Sequence, residues 1–384
     1  MIKNTLRTLP TLLLLAFSGV ASASAFQLGE QNASGLGTAY AGSAAIADNA
    51  STVFFNPAGM TQLKGVHISG GLVGIGSQIR FRGLNGSSGG DAGGWHGVPN
   101  AYLSWQLTPA LTAGVGLSSP FGLATEYKAA WVGQQEGIKS ELTTLNLNPS
   151  VAYKVNDKVS LGLGLNYQKV DGELTSTGIV LKGDDASYGW NAGALFTLSP
   201  AMRVGVSYRS AIGHTLKGHV NAVVPVKADL DLPGTFILSV WQQVSDRWEA
   251  MGDLSYTRWN SLDRLVVVNR NTGMQFGNAE VYNYDNSWRI AWGAAYRSND
   301  VTKLKFGLAY DRTPVNSRDR SVRVPDNDRL WLSLGGQWKL GRASVVDLGY
   351  SYLYMKDPKI AQGNAIGKYD NSAHIVGVQY SVGY

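Results

Sequence analysis

The chain has 384 residues, a formal net charge of +6 and no cysteine, and only 16% of its residues are charged. The lack of cysteine excludes disulfides and thiolate chemistry. Lys and Arg are scattered among acidic residues without a basic run, which argues against nucleic-acid binding. With 47 Gly, 18 Tyr and 11 Trp, the composition favours an exported all-β protein.

Residues 1–23 have the features of a secretory signal peptide. Lys3 and Arg7 form a basic start, a short apolar stretch follows, and small residues offer cleavage sites after Ala23 or Ala25. No later segment approaches the about 20 apolar residues that a membrane helix needs. The sequence therefore predicts export and excludes a helical inner-membrane protein.

From Lys64 onward, apolar residues alternate with small or polar ones. Residues 159–167 (VSLGLGLNY) and 374–384 (HIVGVQYSVGY) each place their large apolar side chains on one face of a strand. The opposite face carries Gly, Ser, Asn and Gln, which suits a polar lumen better than the core of a soluble β-sandwich, the alternative fold. Aromatic residues near strand ends predict interfacial girdles.

The pattern predicts an all-β fold, a 14-stranded antiparallel transmembrane β-barrel of the Gram-negative outer membrane. Short turns alternate with long polar loops, as in bacterial outer-membrane barrels. The predicted strands are residues 64–82, 97–107, 111–123, 140–154, 158–175, 184–198, 201–218, 229–244, 246–262, 281–297, 302–316, 326–340, 343–358 and 370–384.

The partners expected of such a barrel follow from its location. Outer-membrane lipid and lipopolysaccharide would surround it. The terminal aromatic Tyr384 continues the apolar face of the last strand, and it resembles the signal that the barrel assembly machinery reads. We expect a monomer and no nucleic-acid partner.

Residues 24–62 precede the first strand and have no clean periodicity. They are rich in Gly, Ala, Ser and Asn but include Phe26 and Tyr40, and they end in Asn56-Pro57-Ala58. Fourteen strands enclose more space than wall side chains alone fill. We therefore predict three parts: a signal peptide (1–23), a hatch or plug inside the lumen (24–62) and the barrel (63–384). A flexible periplasmic tail is the alternative for the hatch.

Residues 26–60 (FQLGEQNASGLGTAYAGSAAIADNASTVFFNPAGM) closely resemble the N-terminal hatch of the FadL family of outer-membrane transporters for hydrophobic compounds. Residues 118–127 (SSPFGLATEY), 320–336 (RSVRVPDNDRLWLSLGG) and 344–354 (SVVDLGYSYLY) resemble further family motifs. The resemblance covers essentially the whole mature chain. It implies a hydrophobic substrate that meets the hatch and leaves sideways into the membrane through a kink in strand three.

The resemblance implies two groups of site residues. Phe26, Asn56, Pro57 and Ala58 would belong to the hatch and its gating, although Asn56-Pro57-Ala58 can also be a simple turn. Ser118, Pro120, Phe121 and Gly122 would form the kink and lateral exit. Pro120 removes a ladder hydrogen bond and Gly122 weakens the strand; the alternative is that the strand simply ends there.

The resemblance makes long-chain fatty acids the first expected substrate and aromatic or aliphatic hydrocarbons the second. A carboxylate in an apolar site needs a cation beside it, and Arg318, Arg320 and Arg323 are the candidates. A general diffusion porin is disfavoured by the plug. An outer-membrane lipase is disfavoured because no Ser-His-acid constellation is evident. We predict no enzyme activity, no cofactor and no metal site.

Overall fold

The computed structural model describes residues 25–128 and 130–384. The predicted signal peptide, residues 1–23, lies outside the described residues. Within the two described ranges, no helix has the length and apolar character needed to cross a bilayer.

In the described part of the chain, fourteen antiparallel strands form one closed sheet, which confirms the predicted barrel. The closing pair joins β1 to β14, from His67 opposite Gly383 to Gly83 opposite Gly367. The strands are β1 Val66–Gly83, β2 Trp95–Gln106, β3 Leu111–Ser118 and Gly122–Glu126, β4 Lys139–Lys154, β5 Val159–Ser176, β6 Ile179–Ser199, β7 Met202–Arg209 and Ile212–Val220, β8 Val224–Leu232 and Thr235–Gln243, β9 Trp248–Thr257, β10 Ser287–Arg297, β11 Thr302–Asp311, β12 Arg329–Leu340, β13 Ser344–Met355 and β14 Ala365–Gly383.

Side-chain burial along the strands is inverted relative to a soluble protein. On β5, Leu163 and Leu165 are 61% and 66% exposed, whereas Asn166, on the opposite face of the same strand, is 1% exposed. Small and polar residues point inward and large apolar residues point outward, because the outer surface faces lipid and the lumen is polar. The outward assignment of Leu163 is thus confirmed.

Several predicted strand ends are wrong on the external side of the barrel. β6, β8 and β14 begin at residues 179, 224 and 365 instead of 184, 229 and 370. The predicted loops before β6 and β8 shrink to residues 177–178 and 221–223. These hairpins extend past the membrane because the alternation of apolar and polar residues continues along their strands. In the extensions the apolar residues face inward, whereas in the membrane-spanning part they face outward.

The opposite error occurs at β9, β10 and β11, which are shorter than predicted. β9 ends at Thr257 instead of residue 262, β10 begins at Ser287 instead of 281, and β11 ends at Asp311 instead of 316. The connection from residue 258 to 286 contains a 3-10 turn at Trp259–Ser261 and short strands at Arg264–Leu265, Val267–Asn269 and Glu280–Val281. Its apolar side chains turn inward: Trp259, Leu262, Tyr282 and Tyr284 are buried.

Residues 25–65, which we call the luminal segment, lie across the inside of the barrel. Helical turns occur at Leu36–Thr38, Thr52–Phe55 and Pro57–Gln62. The first turn touches β10–β13 and the last touches β3–β6, so the segment reaches opposite walls. Lys305 Nζ donates to Ser34 O at 2.8 Å, one of many polar contacts between this segment and the wall.

Candidate functional site

The turn at Asn56, Pro57 and Ala58 is fixed to both the luminal segment and the wall. The Asn56 amide donates to Ala44 O at 2.7 Å and to Ala194 O at 3.0 Å, and its oxygen accepts from Ala58 N at 3.1 Å. Asn56 therefore caps the following turn, in which Pro57 occupies a first-turn position that needs no N–H donor. All three residues are buried.

Two wall glycines make room for this turn. A Cβ added at Gly162 would collide with the backbone of Pro57 and Ala58, and one added at Gly193 would collide with the Asn56 side chain. The wall and the turn are thus shaped to each other, which an accidental contact between a tail and a barrel would not require.

Strand β3 is interrupted at the predicted kink. Its ladder with β4 passes from Ser118 opposite Asn146 to Gly122 opposite Thr143, so three residues of β3 face two of β4. Its ladder with β2 ends at Leu117 opposite Ala101. Among the described residues, the upper part of β2 therefore has no ladder partner on the β3 side. Ser118 Oγ and the Asn100 amide lie buried beside this break, and neither has a hydrogen-bond partner within residues 25–128 and 130–384.

The luminal segment occupies the inner side of the break. Leu28 N donates to Pro120 O and Gly122 N donates to Phe26 O, both at 2.8 Å. Thr144 Oγ1 accepts from Phe121 N at 3.0 Å and donates to Phe121 O at 2.6 Å. The interrupted backbone is therefore satisfied without a straight ladder, as a break at membrane depth requires.

An apolar pocket, which we call the external pocket, lies between the extended hairpins. Side chains from β4, β5, β6, β7 and β8 form its wall, and Phe26 forms part of its floor. Lys182 and Lys227 also border it. Strand alternation points their side chains outward, since the neighbouring Leu181, Val226 and Ala228 face inward. The apolar side chains lining it are Phe26, Leu123, Leu142, Leu174, Leu181, Leu216, Val226, Ala228, Leu230, Leu265 and Val324.

Three aromatic side chains separate the external pocket from a second cavity. Phe26 packs edge-on against Trp259 with ring centroids 4.8 Å apart, and Phe121 packs against Trp259 at 6.2 Å and against Phe26 at 6.4 Å. Phe26 lines the external pocket, whereas Phe121 lines the second cavity. This aromatic trio joins the luminal segment, the kink and the loop after β9.

The second cavity, which we call the inner cavity, combines aromatic walls with two arginines. Arg209 donates to Phe54 O at 2.9 Å and lies 4.2 Å from the centre of the Phe54 ring. Arg289 donates to Ala39 O at 2.7 Å and lies 4.9 Å from the centre of the Trp331 ring. Further lining includes Leu28, Tyr40, Phe55, Pro120, Phe121, Asp253, Trp288 and Asp311.

A buried carboxyl of the luminal segment lies near the inner cavity. Glu30 is 1% exposed, and its Oε2 has no hydrogen-bond partner in the part of the chain that the structure describes. Burial raises the pKa of Glu30 to about 7, although the positive charges of Arg329 and Arg289 oppose the shift. Near neutral pH this carboxyl therefore takes up a proton much more readily than an exposed glutamate, and it neutralises Arg289 correspondingly less.

The three arginines proposed from sequence lie in the loop between β11 and β12. Arg318 is exposed and pairs with Asp319 at 2.9 Å. Arg320 donates to Asp326 O at 2.9 Å and to Lys359 O at 2.7 Å. None of the three belongs to the lining of the external pocket or the inner cavity.

Arg323, the third of them, is buried beside the external hairpins. It donates to Ser140 Oγ at 3.1 Å and to Lys139 O and Thr175 O at 3.2 Å, and it lies 3.6 Å from Glu280. The hydrogen-bond donors of Arg323 are thus directed at other groups of the protein. Sequence reasoning missed Arg209 and Arg289. Both alternate with small residues on the inward faces of their strands, and this inward position of a cation could have indicated a site in the lumen.

The fold and site define an outer-membrane barrel transporter with an occupied lumen and a broken strand. The model of the outer membrane protein transport protein family (OMPP1/FadL/TodX) matches residues 14–384, so the chain belongs to this family. It is an outer-membrane protein of the Gram-negative type, in a family of transport proteins for long-chain fatty acids or other hydrophobic compounds.

Individual relatives agree over nearly the whole length. The chain is 32% identical to outer membrane protein P1 of Haemophilus influenzae, covering 94% of this chain and 92% of that protein. It is 28% identical to the long-chain fatty acid transport protein of Escherichia coli K12, covering 94% of each. A Pseudomonas aeruginosa FadL homologue shares the fold with a TM-score of 0.87 at 22% identity, covering 94% of this chain and 100% of that structure. The Pseudomonas putida toluene transporter TodX has a TM-score of 0.73 at 17% identity, covering 94% and 100%.

Proposed function

We propose that the protein takes up long-chain fatty acids passively and releases them sideways into the outer membrane. In this proposal residues 24–62 act as a hatch inside the barrel of residues 63–384, and no chemical step is catalysed. The observation that carries the choice of substrate is the pair of arginines, Arg209 and Arg289, in a cavity otherwise rich in aromatic side chains.

The external pocket suits the first contact with an apolar chain. Transfer of apolar surface from water is favourable by about 25 cal/mol per Å². This pocket offers mainly leucine and valine side chains, and the two lysines that border it, Lys182 and Lys227, are exposed on the outer face of their strands. It would accept a hydrocarbon as readily as the tail of a fatty acid. The external pocket by itself therefore does not select between the two substrate classes.

The inner cavity supplies that selection. A carboxylate removed from water needs charge-assisted hydrogen bonds, and two guanidinium groups line the cavity beside rings that can contact an alkyl chain. Asp253 and Asp311 balance part of the positive charge. A neutral hydrocarbon would gain nothing from the arginines, which makes hydrocarbon uptake the second candidate.

The position of the kink supports the proposed exit. Pro120 and Phe121 line the inner cavity and also interrupt β3. A substrate in this cavity is thus next to the place where β3 and β2 are unpaired. Movement into lipid keeps an apolar chain out of water, whereas an axial route would expose it. In this proposal the aromatic trio and the luminal segment move to open the route.

The substrate assignment is tested by uptake into cells or proteoliposomes carrying Arg209→Gln or Arg289→Gln. Loss of a charge-assisted contact of about 1.5–3 kcal/mol predicts oleate uptake lowered by about tenfold or more. Uptake of a neutral alkane such as hexadecane should remain unchanged.

Arg203→Gln is the matched control. Arg203 also lies on β7 and stacks on a ring, 4.3 Å from the centre of Trp241, but it is absent from the inner-cavity lining. The fatty-acid assignment is wrong if both cavity variants transport oleate normally. Equal losses for oleate and hexadecane would instead mean that the arginines serve structure.

A further inference from the structure

Three cations form a row on the outer surface of the barrel wall. In cross-strand register, Arg82 of β1 lies opposite Lys368 of β14, and Lys368 lies opposite Lys359 of the short strand Lys359–Gln362. Residues directly opposite each other share a sheet face. The neighbours Phe81 and Ile360 are buried inside, so the three cations point outward.

Direct opposition of like charges destabilises a sheet unless counter-charges are present. Asp370 contacts Arg82, and Asp357 pairs with Lys368 at 2.8 Å. Within the described residues, Lys359 has no ion pair. Exposed ion pairs of this kind are weak, so the row can exchange these partners for an external anion.

The height of the row identifies the kind of anion. Below it, Tyr350, Tyr352 and Tyr354 lie one above another on the outward face of β13, and Tyr350 makes a hydrogen bond of 2.9 Å with His374. Aromatic side chains on the outer face of a barrel mark the membrane interface. Tyr354, the outermost of the three, lies opposite Ser372, and Lys368 is four residues further toward the outside along β14. With a rise of about 3.3 Å per residue and a strand tilt of roughly 40°, the row is roughly 10 Å above Tyr354.

That height exceeds the reach of a phospholipid head group, since the polar region of a bilayer leaflet is only about 5–8 Å thick. It falls within the sugar layer that covers a Gram-negative outer leaflet. The anions of that layer are the phosphates and carboxylates of the lipopolysaccharide core. Strands are about 4.8 Å apart, so the row presents its three cations over roughly 10 Å.

We propose that Arg82, Lys359 and Lys368 form a binding site for the anionic core sugars of lipopolysaccharide. The opposite side of the barrel provides the contrast. There Lys217 and Lys227 face each other, but Asp184 and Asp171 continue the row. The mixed charges of that row offer an anion no net attraction.

The test uses the folded full-length protein in nanodiscs and a triple variant, Arg82→Gln, Lys359→Gln and Lys368→Gln. The probe is rough lipopolysaccharide with a phosphorylated inner core, titrated and measured by native mass spectrometry. We expect the variant to bind it about tenfold more weakly, because three exposed charged contacts are lost together. The matched control is the triple variant Lys169→Gln, Lys217→Gln and Lys227→Gln, which loses the same charge and should bind normally.

Two further probes separate the source of the anion. Lipid A without core sugars and phosphatidylglycerol should bind the parent and the variant equally, because their phosphates lie below the row. Equal loss for lipid A would overturn the assignment to core sugars. Equal binding of rough lipopolysaccharide by the parent and both triple variants would overturn the site itself. Heat-modifiable gel mobility verifies that each barrel is folded.

Discussion

The membrane zone and the external zone of β5 use the same alternation for opposite purposes. In residues 159–167 the outward side chains are Val, Leu and Tyr, and the inward ones are Ser, Gly and Asn. In residues 168–176 the outward positions hold Lys169, Asp171 and Glu173, while Val170 and Leu174 face inward. The strand keeps its period of two, and only the solvent outside changes, from lipid to water.

This reversal explains how one sheet makes both a transmembrane wall and an external apolar pocket. A purely membrane-type strand would line the pocket with polar groups, and the external pocket would not attract an apolar chain. Because the outward face becomes charged at the point where lipid ends, the inward face can become apolar without exposing apolar surface to water. In β5 the membrane boundary is therefore marked by an exchange of polar and apolar residues between the two faces, while the alternation itself continues without a shift.

The largest expected effect comes from placing one charge on the two zones of β5 in turn. Leu163→Arg puts a cation on the lipid face and should cost about 2–4 kcal/mol near the bilayer centre. Asp171→Arg, on the same face but in the external zone, should change stability by no more than about 0.5 kcal/mol. Heat-modifiable mobility and urea unfolding in lipid vesicles measure both. Equal stability of the two variants would contradict the boundary between the zones.

The second prediction concerns the inward face of the external zone. Leu216→Asp puts a charge into the external pocket and removes an apolar contact worth about 1.5–3 kcal/mol. We expect about tenfold or greater loss of fatty-acid and alkane binding, measured by fluorescence competition. Lys217→Asp, the adjacent outward residue, provides the control and should bind both normally. If the two variants lose binding equally, the external pocket is not the entry site.

The sequence predicted the barrel well because alternation and turn spacing are local properties. It predicted β6 and β8 too short because the stretch near Lys182 and Asp184 reads as a polar loop unless the inward Leu181 is given equal weight. It could not find the inner cavity for a different reason. Arg209 and Arg289 belong to β7 and β10, and only closure of the barrel around the luminal segment brings them together.

The kink illustrates the same limit. Pro120 in the sequence indicates an interruption, but the partners that hold it cannot be read from nearby residues. Phe26 and Leu28 are about ninety residues away, and Thr144 lies on the next strand. By contrast, Arg318, Arg320 and Arg323 are a conspicuous cluster in sequence, yet each makes contacts within or beside its loop. Their assignment as carboxylate contacts stays a prediction.

The third prediction compares inward and outward glycines of the membrane zone. Gly162→Ala would push a methyl group into the backbone at Pro57 and Ala58, and overpacking of this kind costs about 1–3 kcal/mol. We expect displacement of the luminal segment, seen as faster proteolysis and a higher solute leak in liposome swelling, while the barrel stays folded. In Gly252→Ala the new Cβ has only one neighbour, Ala291 O at 4.0 Å, so this control should behave as the parent. If the Gly162→Ala protein neither leaks nor becomes more sensitive to protease, the close approach of Gly162 to Pro57 and Ala58 is not needed to hold the luminal segment in place.

The smallest effect is expected at the kink, because several contacts hold it. Pro120→Val with Gly122→Val favours a regular strand, but a straight ladder also requires the bonds from Phe26 and Leu28 and from Thr144 to break. Adding Thr144→Val removes the side chain that satisfies Phe121, so the triple variant should straighten further than the double one. We expect fatty-acid uptake to fall several-fold in the double variant and more in the triple variant, with barrel stability unchanged or raised.

The affinity of the external pocket for fatty acid should not change in either variant, since Leu216 and its neighbours are untouched. Uptake and affinity measured on the same samples therefore distinguish a closed exit from a damaged entry. Parent-rate uptake by the triple variant, together with a crystal structure showing a continuous ladder from β2 through β4, would rule out release through this break.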